Sequence, residues 1–251
     1  MNNITAIIPT GNEAHNIINA IKSVDFADEI MIVDSYSTDN TIKLATPLAD
    51  TILQRDYENS ASQKNWAIPQ AKYPWIFLLD ADERVTPELR EEIIGILKKK
   101  TKCSGFWVKR QNYFMGKKVR FSGWQGDKVI RLFKRDENRY ESKHVHSEII
   151  SDGKICFLNN KLIHNTFISK EEYKSKLNRY AKWQARDYDK SIKRVTAFHF
   201  ILKPIIRFCK HYLIQLGILD GYVGFIISLY QAKAVAMRYK YIKEFRDAKR
   251  D

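Results

Sequence analysis

Residues 75–89 read WIFLLDADERVTPEL. The apolar run from Trp75 to Leu79 passes without a break into Asp80-Ala81-Asp82, and Thr86-Pro87-Glu88 then opens a helical pattern. An unbroken apolar run of strand length belongs to a strand covered on both faces, as in a parallel sheet. A threonine before a proline before a glutamate is a helix start, because proline fits the first helical position and the acid complements the helix dipole. The same alternation recurs upstream. Strand-length runs at 4–10 (ITAIIPT), 29–35 (EIMIVDS), 50–54 (DTILQ) and 75–82 are separated by segments of helical spacing at about 13–24, 38–49, 60–72 and 87–100. Strands joined by helices of this length are βαβ units, so an α/β fold with a mostly parallel central sheet and helices on both faces is expected.

Downstream the pattern changes. Between about 104 and 165, aromatic and β-branched stretches (GFWVKRQNYF, KVIRLFKR, ICFLNNKLIHN) are broken by Gly, Asn and Asp, which predicts a meander or mixed extension of the sheet. From Ser169 onward the chain is expected to be helical, with Glu171 and Glu172 in a first turn. Residues 198–213 are amphipathic, with Ile201, Ile205, Ile206 and Cys209 on one side and Lys203, Arg207 and Lys210 on another. Two environments suit such a helix: a membrane interface, or the top of a domain with a solvated basic face. The stretch 212–231 approaches the length of a bilayer span, but Asp220 at its centre and glycines 217, 221 and 224 argue against crossing. The expected organisation is a catalytic domain over 1–165 and a basic helical extension over 166–251.

Charge divides the 251-residue chain. Residues 1–100 carry 10 basic and 15 acidic side chains, and residues 101–251 carry 33 and 14, so the net charges are −5 and +19. A basic half points to an anionic membrane, a phosphorylated substrate or nucleic acid. Cys103, Cys156 and Cys209 lie far apart with no CxxC pair, so no disulfide framework is expected and a reducing, cytoplasmic setting is the simplest expectation. MNNITAIIPT has neither the basic start nor the apolar core of an export signal.

Polar residues collect where ligands bind in open parallel sheets, at the carboxyl ends of the strands. The first strand runs into Pro9-Thr10-Gly11-Asn12-Glu13, the second into Asp34-Ser35, and the fourth into Asp80-Ala81-Asp82. No GxGxxG or GxxxxGK[ST] loop is present, which argues against a dinucleotide-dependent dehydrogenase and a P-loop NTPase. Two carboxylates at i and i+2 after a buried strand can hold a hard divalent cation that also binds a diphosphate. His144 and His146 share one face of a predicted strand, a spacing compatible with ordinary polar contacts or with ligation.

The set IIPTGNE, IVDSYSTDNT, ASQKNWA and WIFLLDADERVTPEL, in this order, resembles the inverting family 2 glycosyltransferases of the GT-A fold. Further on, NYFMGKKVRFSGWQGDKVIRLFKR, VHSEI and GILDGYVGF resemble the subgroup of lipopolysaccharide core glucosyltransferases. The resemblance implies a nucleotide-sugar pocket lined by Pro9, Thr10, Asn12, Glu13, Asp34, Ser35, Lys64, Asp80, Ala81 and Asp82. It also implies Mg²⁺ or Mn²⁺ on Asp82 and Asp80, with His146 as an added metal or phosphate contact. Asp127 falls in the region that supplies the catalytic base, and Trp124, Arg131 and His146 are the candidate sugar or acceptor contacts. Gly11 stands where members commonly carry an aromatic residue, and Ser147 splits the usual His-Glu pair. Inversion in one displacement needs a carboxylate opposite the leaving group. Glu83, Asp136 and Glu148 stay open beside Asp127 for that role.

The implied activity is transfer of a hexose, glucose first among the candidates, from a UDP-sugar to a lipid-linked or lipopolysaccharide core acceptor. The enzyme would lie peripherally on the inner face of the cytoplasmic membrane, with no nucleic acid partner. A nucleic-acid-binding protein would explain the basic half but not acids at successive strand ends. Two further readings stay open: an inactive sugar-binding protein on the same fold, and a nucleotidylyltransferase, which would consume a nucleoside triphosphate and release pyrophosphate.

Overall fold

The computed structural model describes residues 2–141 and 148–248. The chain forms two compact units, Met1–Gln111 with Asp127–His164, and Asn112–Gly126 with Asn165–Asp251. Its elements follow in the order β1 (Ile4–Thr10), α1 (Ile17–Ser23), β2 (Glu29–Asp34), α2 (Thr41–Ala45), β3 (Thr51–Gln54), α3 (Ser60–Ala67), β4 (Trp75–Leu78), β5 (Glu83–Arg84), α4 (Pro87–Leu97) and β6 (Cys103–Phe114). They continue with β7 (Lys117–Lys118), β8 (Lys128–Lys134), β9 (Asn138–Tyr140), β10 (Ile149–Ser151), β11 (Lys154–Phe167), α5 (Lys170–Asp189), α6 (Ala197–Phe200), α7 (Leu202–Cys209) and α8 (Gly221–Asp247).

In the first unit β3, β2, β1 and β4 lie side by side and parallel. β8 then joins β4 antiparallel, followed by β6, β11 and β5. Successive residues of the central strands enter opposite cores, as the period of two requires. Ile8, Ile32 and Phe77 face one core, which Ile17, Ala20, Leu89 and Ile93 of α1 and α4 cover. Ile7, Met31, Val33, Ile76 and Leu78 face the other, against Ala67 and Ile68. Thr86 accepts a hydrogen bond from the Leu89 amide and Pro87 occupies the first turn, so α4 begins where the sequence predicts.

The other early helices are shorter than their periodicity suggests. α2 starts at Thr41 because Asn12 and Asp39 side chains hold the preceding loop, and it ends at Ala45, close to Pro47. α3 stops at Ala67 and continues as a tighter turn around Pro69, which has no amide to donate. The cysteines require a correction. Cys103 and Cys156 form a disulfide with Cα atoms 6.0 Å apart, because β6 and β11 are neighbours in the sheet although 53 residues separate them in sequence.

The second unit is built on α5 and α8. Ser169 caps α5 by accepting from the Glu172 amide. Ala185 of α5 meets Val235, Tyr239 and Ile242 of α8 in one core, and Phe114, Phe167, Tyr173, Val223 and Ile227 form another. Trp124, expected to contact a sugar, packs part-buried against that aromatic core, 6.3 Å from the Phe114 ring. The helix expected over 198–213 is broken into α6, α7 and a wide turn at Lys210–Ile214. Among the described residues no single helix is long and apolar enough to cross a membrane; Ala197–Ile214 and Gly217–Asp247 form a pair bent by 70°.

Gly224 lies against the backbone of Gly217, so a methyl group there would overlap the Gly217 carbonyl oxygen, whereas Gly95 in α4 has open space around it. Gly224→Ala should therefore lower stability by about 1–3 kcal/mol through overpacking. Gly95→Ala should raise it by about 0.5–1 kcal/mol by removing backbone freedom from the unfolded chain. Urea unfolding of the two variants measures both signs.

Candidate active site

The carboxyl ends of β1, β2 and β4 carry the polar residues, and the loops after β1 and β2 are tied to each other. Thr10 pairs with Asp34 in the sheet, and the Ser35 amide donates to the Thr10 carbonyl at 2.9 Å. Asn12 adopts a left-handed backbone (φ 57°), which aims its side-chain oxygen at the Thr38 amide, 2.8 Å away. Its own amide donates to Ser37 Oγ at 2.8 Å, and the Glu13 amide donates to Thr41 Oγ1 at 2.8 Å. Asp34 is completely buried, and its carboxylate accepts from the Ser37 amide, the Ser37 hydroxyl and Gln54. It therefore pins the turn of its own loop. Ser35 Oγ accepts from Gln63 at 2.7 Å. Thr10 Oγ1 is buried without a partner, an unsatisfied hydroxyl at the end of β1. Tyr36, next to Ser35, is half exposed with a left-handed backbone (φ 54°), an uncommon conformation for a bulky residue.

Beyond β4, Asp80 sits between two cations. Its Oδ1 lies 3.0 Å from Lys64 Nζ, and its Oδ2 accepts from Arg131. Arg131 continues to Glu83 Oε1 at 2.7 Å, Arg110 reaches the same oxygen at 3.3 Å, and Arg110 grips Asp127 with two bonds at 2.7 and 3.0 Å. The result is an alternating line of charge: Lys64, Asp80, Arg131, Glu83, Arg110, Asp127. Glu83 and Arg131 are 0% and 2% exposed, so neither charge could persist there without the other.

Proton affinities follow from this arrangement. Burial works against the Asp80 carboxylate, but Arg131 and Lys64 hold it far below the usual carboxylate range. Burial likewise opposes the charges on Lys64 and Arg131, yet Asp80 for the former, and Asp80 with Glu83 for the latter, raise both above their ordinary values. Burial opposes Arg110 too, and Glu83 and Asp127 raise it.

Asp82 follows a different course. It is part-exposed, and its Oδ2 lies 3.3 Å from His164 Nε2 at the register where β11 meets β5. Among the described residues no group of three or more His, Cys, Asp or Glu is arranged to hold a metal ion. A carboxylate and an imidazole are nevertheless sufficient protein donors for Mg²⁺ or Mn²⁺ when waters and a diphosphate supply the rest. Asp82 and His164 fit such an ion, while the oxygens of Asp80 are engaged by Lys64 and Arg131.

The structure gives several expected residues additional contacts. Arg131, expected at the acceptor, is buried within the charge line. Ala81 presents its carbonyl to Arg84 at 2.7 Å, and Pro9 is part of β1, paired with Val33. Among the carboxylates left open as bases, Glu83 is buried between two arginines and Asp136 is exposed and paired with Arg135. His144 and His146 lie outside the described residues. The sequence reading missed Arg110 and His164, both within strands of the 104–165 extension that carry no motif marking them. Glu83 gave a signal, adjoining Asp82, but not the role.

A family model described as glycosyl transferase family 2 matches residues 5–153. The chain is 30% identical to the lipopolysaccharide core biosynthesis glycosyltransferase LpsC of Rhizobium meliloti, over 83% of this chain and 80% of that protein. It is 28% identical to an uncharacterized glycosyltransferase of Rickettsia felis, over 97% of this chain and 90% of that protein. The crystal structure of S. aureus TarS aligns with a TM-score of 0.47 at 13% identity, over 98% of this chain and 92% of that one.

Glu83→Gln keeps the shape and removes the anion shared by Arg110 and Arg131, so stability should fall by about 3–5 kcal/mol in urea unfolding. The pH dependence has two limbs. Asp80, with a lowered folded pKa, contributes stability that is complete above about pH 3.9 and lost as pH falls from there. Lys64, with a raised folded pKa, contributes stability that is complete below about pH 10.4 and lost as pH rises through its folded value. Melting temperatures should fall more steeply below about pH 4 for the parent than for Asp80→Asn, which lacks the titrating group.

Proposed function

The chain belongs to glycosyl transferase family 2, and on that premise we propose that it transfers a hexose, glucose first, from a UDP-sugar to a lipopolysaccharide core or similar lipid-linked saccharide, with inversion. The observation that carries this reading is the turn after β4, in which Asp80 is neutralised by Lys64 and Arg131 while Asp82 stands with His164. This turn separates two tasks that a nucleotide-sugar site needs, a fixed polar floor and a carboxylate placed to share a cation with a diphosphate.

In this reading the nucleoside lies along the loops after β1 and β2. Thr10 supplies the unsatisfied hydroxyl, and Asn12, Glu13, Asp34 and Ser35 set the shape of the pocket. Lys64 faces the diphosphate from α3. Asp82 and His164 would hold Mg²⁺ or Mn²⁺, which when bound neutralises charge on the departing diphosphate. Asp127 is the base. Arg110 occupies both its oxygens, so an acceptor hydroxyl must take one of them from Arg110 to deliver its proton. The net charge of +19 over residues 101–251 suits an anionic acceptor and a place on the inner face of the cytoplasmic membrane.

Calorimetric titration with UDP and UDP-glucose, with and without Mn²⁺, tests the donor side. Micromolar metal-dependent binding is expected, and Asp82→Ala should abolish the metal dependence. Asp127→Asn should bind UDP as the parent does and transfer at least about a hundredfold more slowly. Near-normal transfer by Asp127→Asn would remove the base assignment, and no nucleotide binding with either metal would remove the donor reading.

A further inference from the structure

The second unit carries an apolar surface that its own cores leave uncovered. Among the described residues, 13 of the 22 exposed large hydrophobic side chains fall within residues 198–225. They follow the bend of the chain: Ile205 and Ile206 on α7, Leu213 and Ile214 on the wide turn, and Ile218 and Leu219 on the tight turn before α8. Exposure peaks at the tip, with Ile214 at 77% and Leu219 at 63%. Such a concentration of exposed apolar side chains in one segment marks a binding surface.

Two features identify the partner. From Lys190 to Leu219 there are six lysines and arginines and no acidic residue, so the segment that carries most of the patch is uniformly positive. Self-association through a two-fold axis would set that charge against itself, whereas an anionic lipid surface complements it. The second feature is Asp220, the one acid within the apolar stretch 212–231. Its carboxylate turns into the unit, accepting from the Arg120 and Phe121 amides at 2.9 and 3.0 Å and from Ser122 Oγ at 2.8 Å. The charge that would oppose burial in lipid is thereby satisfied by protein, while the neighbouring Leu219 points out.

We infer that residues 205–219 form a re-entrant wedge that enters one leaflet of an anionic bilayer, with Ile214 and Leu219 deepest and Arg207 and Lys210 at the phosphate level. The two helical arms are bent by 70°, a shape that suits entry into one leaflet and return from it. The wedge deepens the membrane location proposed above and is independent of the donor.

The test is flotation of the full chain with vesicles of equal parts phosphatidylglycerol and phosphatidylcholine, and with phosphatidylcholine alone. Binding to the anionic vesicles, weakened by salt and by Lys210→Glu, is expected. The double variant Ile214→Glu/Leu219→Glu should lower partitioning at least about a hundredfold. Its circular dichroism and its UDP titration should match those of the parent. In Leu219→Trp, indole fluorescence should be quenched by brominated lipid chains. Absence of flotation, or full retention of it in the double glutamate variant, would overturn the wedge. A dimer dissolved by Ile214→Glu, with no vesicle binding, would give the surface to a second copy and overturn it equally. Loss of UDP binding in a protein that still floats would remove the donor reading alone.

Discussion

Everything at the candidate site depends on one buried ionic contact, Arg131 with Glu83, completed by Asp80 and Arg110. A charge in the interior is stable only beside its opposite, and removing one partner costs more than the pair contributes. Glu83 leaves the β4 turn, Arg131 comes from β8 and Arg110 from β6, so a single carboxylate fixes the turn against two antiparallel strands. The Asp80 amide donates to Glu83 Oε2 at 3.1 Å, which ties the backbone of the turn to the same group. The electrostatic requirement is therefore also a positional one: the acidic turn holds its shape because its charges have no other place to go.

Chemical consequences follow along the line. Asp80 and Asp82 are two residues apart and differ in environment, the first enclosed by cations and the second part-exposed beside an imidazole. Environment rather than residue type thus divides the carboxylate locked by cations from the one left part-exposed, the proposed metal ligand. Asp34 belongs with the structural group. Its bonds to Ser37 and Gln54 stabilise the loop that Asn12 and Asp39 also hold, so the loops proposed to receive the nucleoside are organised by the chain's own hydrogen bonds.

The second unit uses polar groups in the same manner. Asp220 satisfies the backbone amides of Arg120 and Phe121, and the close approach of Gly217 to Gly224 lets α8 begin directly against the preceding turn. A stretch that resembles a membrane span in composition is thereby folded with its acid turned inward, Val223 and Ile227 in the core, and Leu213, Ile214, Ile218 and Leu219 outward.

Sequence by itself determined the parallel half of the fold. The runs at 4–10, 29–35 and 75–79 are mainly apolar because both faces of their strands are covered, and that requirement is local to each strand; the edge strand at 51–54 is only part-buried. It also determined where the acids stand, since Asp34, Asp80 and Asp82 lie at the carboxyl ends of those runs. The ends of α2 and α3 were legible only in part: Pro47 and Pro69 are visible, but the hold of Asn12 on residue 38 is not. Tertiary structure alone decided what each acid touches. Arg110, Arg131 and His164 meet Glu83, Asp80 and Asp82 across 27, 51 and 82 residues, and Cys103 meets Cys156 across 53. The side-by-side placement of β8, β6, β11 and β5 brings these groups together, and that order is set by the packing of a whole sheet, which leaves no periodic trace in any single segment.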